Sequence, residues 1–304
     1  MKEMIEKINF LKKEQNAIIL AHTYTHPDVQ DIADFVGDSY GLSKKAAEAG
    51  DFETIVFAGV RFMAETAKIL SPQRKVLLPV LAAGCPMADM IDEHQLAKFK
   101  NEHPDFAVVC YVNSDMRTKA LSDVCVTSSN AVKIVKKMKE DKILFVPDMH
   151  LGSFVAEQVP EKEIICWKGF CPVHHAVKPE DVIEAKKLWP EAVVLMHPEC
   201  PAETRKAADF ILSTGQMETL VKEKKYKKYI IVTESGITYP LSKADKDAEF
   251  IELPSVSLTC VNMKKIMLTD ILRSLEENIY EIEIPKAIEE KARISLERML
   301  ELAK

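Results

Sequence analysis

The sequence predicts an α/β protein built from three pseudo-symmetric, three-layer α/β domains with parallel sheets around a pseudo-threefold axis. Two observations predict this fold. Residues 17–39, 106–128 and 192–214 follow one pattern of apolar and polar positions, so the chain repeats itself three times. In every copy, short apolar runs alternate with charged amphipathic stretches, which is typical of parallel sheets covered by helices.

Each repeat is predicted to contain a helix, a strand, a helix, a short strand, a helix, a strand and a cysteine-bearing loop, in that order. The repeats are expected to span residues 1–85, 86–171 and 172–260. Residues 261–304 are predicted to form a C-terminal helical segment that packs on the first repeat. The beginning of that segment, residues 262–277, is similar to the start of a fourth copy.

The individual elements are assigned from positions that recur through the repeats. Amphipathic charged stretches at residues 1–16, 89–103 and 178–189 predict the opening helices. The later positions are, in order, a first-strand end (His22, Tyr111, His197), an aspartate in the second apolar run (Asp34, Asp123, Asp209), a hydroxyl before a helix (Ser39, Ser128, Thr214), a third-strand end (Gly59, Pro147, Glu234) and a cysteine (Cys85, Cys171, Cys260).

Composition excludes several classes of function. The 304 residues include 41 Lys and Arg against 47 Asp and Glu, a net charge of -6, without a long basic run. Nucleic acid and an anionic membrane are therefore not expected as partners. No apolar run approaches the roughly 20 residues that span a bilayer, and residues 1–16 do not resemble a signal peptide, so we expect a cytoplasmic protein. The nine glycines form no dinucleotide-binding or P-loop motif.

Cysteine usage points to a metal site. Seven cysteines in a cytoplasmic protein are not expected to form disulfides, and no C-x-x-C motif is present. The three equivalent cysteines would meet near the axis, where three thiolates could bind zinc or a [4Fe–4S] cluster with one open iron. Proline after two of the three cysteines favours the cluster. The remaining cysteines are interpreted as structural: Cys110, Cys125, Cys166 and Cys200.

Two further sets of residues are expected at the carboxyl ends of the strands, where α/β sheets bind ligands. The first set pairs each strand end with the residue two positions later, and it can transfer protons and form hydrogen bonds: His22 with Tyr24, Tyr111 with Asn113, His197 with Glu199. The second set is the hydroxyl triplet Ser39, Ser128 and Thr214. Capping alone would explain these hydroxyls, but helix N-termini also bind anions, which suggests a small ligand with several carboxylates or phosphates.

Seven motifs, in this order, resemble the quinolinate synthase family, the A protein of NAD biosynthesis: DIADFVGDS, GCPMADM, PDMHLGSFVA, GFCPVHHAV, MHPECP, STGQM and CVNMKKI. The resemblance covers nearly the whole chain. It implies three pseudo-symmetric α/β domains that enclose one [4Fe–4S] cluster. It also implies a reaction in which iminoaspartate (iminosuccinate) condenses with dihydroxyacetone phosphate to give quinolinate, phosphate and water. A functional link to an aspartate oxidase or dehydrogenase that supplies iminoaspartate is expected as well.

The resemblance also assigns residues. It implies that Cys85, Cys171 and Cys260 ligate the cluster and that His174 lies near the cluster and the substrate. Glu199 is expected to be the general base, and Tyr24 is expected to take part in proton transfer. The catalytic set is completed by His22, His197 and Tyr111. The positions that would hold the substrate are His22, Ser39, Tyr111, Asn113, Ser128, His197, Glu199 and Thr214.

Three residues depart from the family pattern. Thr23 and Thr25 replace an asparagine and a glutamine, and His175 stands where an acidic residue is common. The departures put fine substrate contacts in doubt, but not the reaction. Two alternatives stay open. One is a [4Fe–4S] hydro-lyase that acts on a hydroxy-dicarboxylate; the other is a non-catalytic iron–sulfur sensor, which the missing basic patch disfavours.

Overall fold

The computed structural model describes residues 1–48 and 50–304 and contains three four-stranded sheets. All strand pairs within the sheets are parallel, and helices connect the strands. The strand order, counted from the first strand of each sheet, is 2-1-3-4 in all three. The predicted fold class, three α/β units with parallel sheets, is confirmed.

The first sheet and its helices lie at the start of the chain. Residues of β1 are buried along its whole length, as expected of an apolar strand in the middle of a parallel sheet. The elements are α1 (Lys2–Glu14), β1 (Ala17–His22), α2 (Pro27–Ile32), β2 (Phe35–Gly37), α3 (Ser39–Glu48), β3 (Thr54–Ala58), α4 (Arg61–Leu70) and β4 (Lys75–Leu77).

The second and third sheets follow the same order of elements. The second group contains α5 (Glu93–Glu102), β5 (Ala107–Tyr111), α6 (Met116–Ala120), β6 (Val124–Val126), α7 (Ala131–Lys137), β7 (Lys142–Val146), α8 (Met149–Gln158) and β8 (Glu163–Cys166). After the short helix α9 (Pro172–His175), the third contains α10 (Pro179–Leu188), β9 (Val193–Met196), α11 (Ala202–Arg205), β10 (Phe210–Ile211), α12 (Thr214–Lys222), β11 (Lys228–Val232), α13 (Thr238–Ala244) and β12 (Glu249–Glu252).

Each repeat has one strand more than the sequence predicted. A helix and a short edge strand (β4, β8 and β12) follow the third strand of every sheet. These edge strands contain only three or four residues, and half of β8 and β12 is exposed. Such segments lack the continuous apolar run that marks a central parallel strand, so the hydrophobic pattern missed them.

The register of the third strands corrects one equivalence. Ala58 pairs with Ala21 in the first sheet, and Val232 pairs with Met196 in the third. Thr233 is therefore level with Gly59 and Pro147, and Glu234, which we had aligned with them, lies one residue further on. This position becomes important at the cavity described below.

The recurring aspartates are structural. The carboxylates of Asp34, Asp123 and Asp209 accept a hydrogen bond from a backbone N–H of the first strand of their own sheet, at 2.7–2.8 Å. A lysine of each opening helix lies within 4 Å of the same carboxylate: Lys12, Lys100 and Lys186. Each aspartate therefore joins the opening helix, the first strand and the second strand of its repeat.

The C-terminal segment contacts more than the first repeat. Helix α14 (Leu268–Glu277) packs on α1 and β3, and α15 (Lys286–Leu302) packs on α4 but also on α6 and β6 of the second repeat. One hydrophobic core joins the first two sheets and these helices, whereas the third sheet has an apolar cluster on each face. No helix in the described part of the chain combines the length and apolar character that crossing a bilayer requires.

Candidate active site

The 2-1-3-4 strand order places a crevice between the carboxyl ends of the first and third strands of each sheet, where the direction of the crossover connections reverses. The three crevices open into one cavity of about 360 Å³. The cavity is lined by every residue that the sequence proposed for the site: His22, Tyr24, Ser39, Cys85, Tyr111, Asn113, Ser128, Cys171, His174, His197, Glu199, Thr214 and Cys260.

The three equivalent cysteines share one local geometry. Each begins a single helical turn: the carbonyl oxygens of Cys85, Cys171 and Cys260 accept backbone N–H groups from three or four residues further on, at 2.9–3.1 Å. Backbone N–H groups of the same turns also reach the sulfurs and favour their thiolate forms. This arrangement suits a metal–thiolate site, since N–H donors to sulfur stabilise the ligated thiolate.

Burial works against free thiolates at this site. Burial raises the pKa of Cys85 to about 12, and the nearby Cys260 contributes to that rise. The pKa of Cys171 is also raised well above its ordinary value by burial, with contributions from Glu199 and Cys85. A thiolate at Cys260 raises the pKa of Cys85, and one at Cys85 raises that of Cys171, so three deprotonated cysteines require a cationic partner. A metal or iron–sulfur centre supplies that charge, and the donor set fits such a group.

The other four cysteines take no part in the cavity among the residues that the structure describes. Cys110 and Cys125 are fully buried in neighbouring strands of the second sheet, and Cys200 is fully buried after β9. Cys166 ends the edge strand β8. Their placement agrees with the structural interpretation.

A chain of short polar contacts connects the acid–base residues across the three repeats. The Tyr24 hydroxyl lies 2.8 Å from the Thr233 hydroxyl, which lies 2.9 Å from Nε2 of His174. Nδ1 of His174 lies 2.8 Å from Glu199 Oε2, and the Tyr111 hydroxyl donates to Glu199 Oε1 at 2.6 Å. Two phenols from different repeats are therefore joined through one imidazole and one carboxylate.

Glu199 is a carboxylate at neutral pH. Burial alone would raise its pKa, but His197, His174 and the hydroxyl of Tyr111 outweigh burial and lower the pKa to about 2. Both phenols keep their protons, because burial raises the pKa of Tyr24 and of Tyr111 well above the ordinary value. The site therefore contains a proton acceptor, Glu199, one proton donor bonded directly to it, Tyr111, and a second donor, Tyr24, connected to it through Thr233 and His174.

The imidazoles of the strand ends are neutral. Burial lowers the pKa of His22 to about 3, with a contribution from Lys264, and burial lowers the pKa of His197 to about 3 as well. Neutral imidazole offers one donor and one acceptor, so these side chains can orient a ligand but bring no charge. Among the described residues, the cavity lining includes three carboxylates and neither lysine nor arginine.

The hydroxyl triplet is not used for capping. Ser213 caps α12 and the carboxylate of Asp38 accepts the N–H of Gly41 in α3, so the neighbours of Thr214 and Ser39 carry out that role. In the second repeat, Asn130 is the residue at the cap position of α7. The hydroxyls of Thr214 and Ser128 bond inside the cavity instead, to Tyr24 at 2.8 Å and to His197 at 3.3 Å.

Sequence reasoning missed several residues of the site. Asp38, which precedes Ser39 in the sequence, lines the cavity and accepts N–H groups from two helices of different repeats, at Gly41 of α3 and Gly215 of α12. A side chain at position 215 would place its Cβ 2.8 Å from the Asp38 carboxylate, so glycine is needed there. Asp38 could have been noticed as an acidic residue beside the hydroxyl triplet.

Thr233, Glu234 and Lys264 were also missed. Thr233 and Glu234 follow directly after β11, but the equivalent positions in the first repeat are Gly59 and Val60, so no threefold pattern marks them. Lys264 lies in the turn after Cys260 and donates to the Tyr24 carbonyl oxygen at 2.6 Å. A lysine that bonds a buried backbone oxygen leaves no signal in a single sequence.

The three departures from the family pattern lie outside the cavity lining. The Thr25 hydroxyl donates to the His22 carbonyl oxygen at 2.8 Å, and the Thr23 hydroxyl donates to Glu218 at 3.3 Å. Nδ1 of His175 lies 2.8 Å from Nε2 of His150. These three side chains therefore bond to residues around the site and are not themselves lining residues.

Comparison with known proteins agrees with the motifs. The family model described as the quinolinate synthetase A protein matches residues 6–301. The chain belongs to the quinolinate synthase family. It is 50% identical over 299 residues to the quinolinate synthase of Alkaliphilus metalliredigens, with 98% of each chain covered. It is 52% identical over 297 residues to that of Caldicellulosiruptor saccharolyticus, and 47% identical over 307 residues to that of Aquifex aeolicus.

The relatives are similar in length to this chain. The match covers 98% of this chain and 97% of the Caldicellulosiruptor protein, and 100% of this chain and 95% of the Aquifex protein. Quinolinate synthase relatives therefore align with all three sheets and with the C-terminal helices.

One group of possible metal ligands stands out among the described residues: ligand atoms of Cys171, His174 and Glu199 lie within 4.8 Å of one another.

The link at Thr233 gives a testable prediction. In a Thr233→Val variant, the Tyr24 hydroxyl and His174 Nε2 each lose a buried partner, which should lower the free energy of unfolding by about 1–3 kcal/mol. Thr233→Ser keeps the hydroxyl and should cost clearly less. Denaturant unfolding of both variants measures the difference, and equal losses would show that the hydroxyl is not the link.

Proposed function

We propose that this chain is a quinolinate synthase that condenses iminoaspartate with dihydroxyacetone phosphate to give quinolinate, phosphate and water. One observation carries the proposal: three cysteines, three hydroxyls and a carboxylate–phenol network line a single cavity. Each repeat contributes one of the cysteines and one of the hydroxyls, and the network joins side chains of different repeats. The names of the relatives and the matching family model support the same reaction.

The cofactor we propose is a [4Fe–4S] cluster held by Cys85, Cys171 and Cys260. A cluster with three protein ligands keeps one iron open, and such an iron acts as a Lewis acid on a substrate oxygen. The placement of three half-buried cysteines in one cavity, with backbone N–H donors at each sulfur, supports the assignment. His174 and Glu199 lie beside Cys171 but bond to each other, so we assign them to proton transfer.

Anion binding is assigned to hydroxyls, an amide and backbone N–H groups. Both proposed substrates are anions, yet no cationic side chain is found among the described lining residues. Ser39, Ser128, Thr214 and Asn113 can donate hydrogen bonds to carboxylate or phosphate oxygens, and neutral His22 and His197 can each donate one. The positive ends of nearby helices strengthen such bonds in a buried site.

Proton transfer is assigned to Glu199 and the two phenols. Forming the pyridine ring requires removal of protons from carbon and loss of water, which needs a paired base and acid. Glu199 is the carboxylate that accepts protons, while Tyr24 and Tyr111 are protonated donors. Glu199, His197 and His22 are each 3% exposed, so bulk water is kept from the reacting groups.

The proposed substrates also indicate which enzyme supplies iminoaspartate and in which compartment the reaction takes place. An imine such as iminoaspartate is lost to hydrolysis in water, so an aspartate oxidase or dehydrogenase should produce it close to this enzyme. We place the protein in the cytoplasm, where a reduced environment keeps its cysteines as thiols. Neither nucleic acid nor a membrane is needed for this activity.

The proposed reaction can be tested directly. Anaerobically prepared protein should contain about four irons and four sulfides per chain and should form quinolinate only when both substrates are present. Chromatographic detection of quinolinate, with each substrate omitted in turn, is the measurement. Dehydration of a hydroxy-dicarboxylate without the triose phosphate would support the hydro-lyase instead, and an iron–sulfur protein that turns over neither would support a sensor.

The role of Glu199 is tested by Glu199→Gln, which keeps the size of the side chain but removes its basicity. We expect quinolinate formation to fall about 10²- to 10⁴-fold, the usual contribution of a general base. Iron and sulfide content should not change, because Glu199 is not assigned as a ligand. Glu203→Gln, at a side chain that is 74% exposed, is the matched control. Full activity of the Glu199 variant would refute the assignment.

A further inference from the structure

The third cysteine is held differently from the first. Glu234, one residue beyond Thr233, is buried, and its Oε1 accepts the backbone N–H of Cys260 at 3.0 Å. In the second repeat, the equivalent residue Asp148 is also buried, but its Oδ1 accepts the backbone N–H groups of His150 and Leu151 in its own helix, at 2.7–2.8 Å. In the first repeat this position is Val60, which has no carboxylate to offer the cysteine turn.

An ion pair joins Glu234 to the turn that contains Cys260. Lys264 Nζ lies 3.0 Å from Glu234 Oε1, and the Glu234 side chain is 1% exposed against 18% for that of Lys264. The other carboxylate oxygen of Glu234 accepts the N–H of Gly236 at 2.7 Å. All of these bonds to Glu234 are made in a largely water-free environment, where an unpaired carboxylate would be costly.

The same lysine reaches the first repeat. Lys264 Nζ donates to the Tyr24 carbonyl oxygen at 2.6 Å, and the Lys264 carbonyl oxygen lies 3.0 Å from Nε2 of His26. Gly236 leaves the room for this contact: a Cβ there would lie 2.7 Å from Lys264 Nζ and 2.9 Å from Tyr24 Cα. The cation therefore bridges the cysteine turn of the third repeat and the loop that presents the phenol of the first.

The segment that this bridge holds is an exposed wall of the cavity. Ser257, Thr259 and Val261 line the cavity and are exposed, with Val261 at 69%. A single backbone hydrogen bond, from the Ser235 N–H to the Leu258 carbonyl oxygen at 2.8 Å, also ties this segment to the end of β11. Among the described residues, Lys265 Nζ also donates to the Ala82 carbonyl oxygen at 2.9 Å, which adds a more exposed contact between the cysteine turn and the first repeat.

We propose that Glu234 and Lys264 are positioning residues that fix Cys260, and through it the third ligand of the cluster, relative to Tyr24. The inference rests on the proposed function in one respect, the assignment of Cys260 as a ligand. The pair acts on the backbone of the cysteine turn; Glu234 also lines the cavity, whereas Lys264 does not. Loosening it should affect Cys260 more than Cys85 or Cys171.

The first test uses the full-length protein without its cluster. Lys264→Met and Glu234→Gln change the charge beside Cys260 in opposite directions, so faster alkylation of Cys260 in both variants, with Cys85 and Cys171 little changed, is the result expected if the turn is loosened. Rates at each cysteine are read from peptide masses. The matched control is Lys243→Met, which removes an exposed ion pair to Asp31 that also joins the third repeat to the first. This labelling result is independent of which reaction the enzyme catalyses.

The second test uses the cluster-loaded protein. Removal of iron by a chelator should be about tenfold faster or more in both variants than in the Lys243 control, the usual scale for loss of an outer contact to a metal ligand. Circular dichroism verifies that the variants are folded. Equal acceleration at all three cysteines, or rates in both assays that match the control, would overturn the proposal.

Discussion

The site depends on the burial of three mutually repelling thiolates at the junction of three repeats. Cys85, Cys171 and Cys260 each begin a helical turn whose N–H groups point at sulfur, and each lies where burial disfavours the charged form. Only a cationic centre makes this arrangement favourable. Each repeat contributes one cysteine to the cavity, and under the proposed assignment a cluster held by these three cysteines would keep one iron open.

The three repeats place equivalent backbone positions at the cavity. The side chains at these positions differ from repeat to repeat, and these differences determine the chemistry of the site. All three sheets bring a strand end to the same cavity, but the side chains there are His22, Tyr111 and His197. The residues two positions later are a phenol, an uncharged amide and a carboxylate. Glu199 is ionised, Tyr24 is protonated and the imidazoles are neutral, so one buried cavity holds acceptors and donors together.

The sequence revealed those parts of the molecule that occur three times. Equal spacing identified the strand ends and the hydroxyls, and nearly equal spacing identified the cysteines, because a side chain at the same place in three copies is hard to attribute to chance. The short edge strands β4, β8 and β12 were missed because their few, partly exposed residues carry no continuous apolar run. Thr233 and the Glu234–Lys264 pair were missed because they break the symmetry and bond to backbone or to side chains distant in sequence.

The open iron is the central claim, and Mössbauer spectroscopy of protein loaded with an enriched iron isotope tests it most directly. We predict a [4Fe–4S] spectrum in which one iron of the four shifts when quinolinate is added, while the other three stay unchanged. A spectrum in which all four irons are insensitive to quinolinate, or the finding that the purified protein holds zinc in place of iron, would contradict the account.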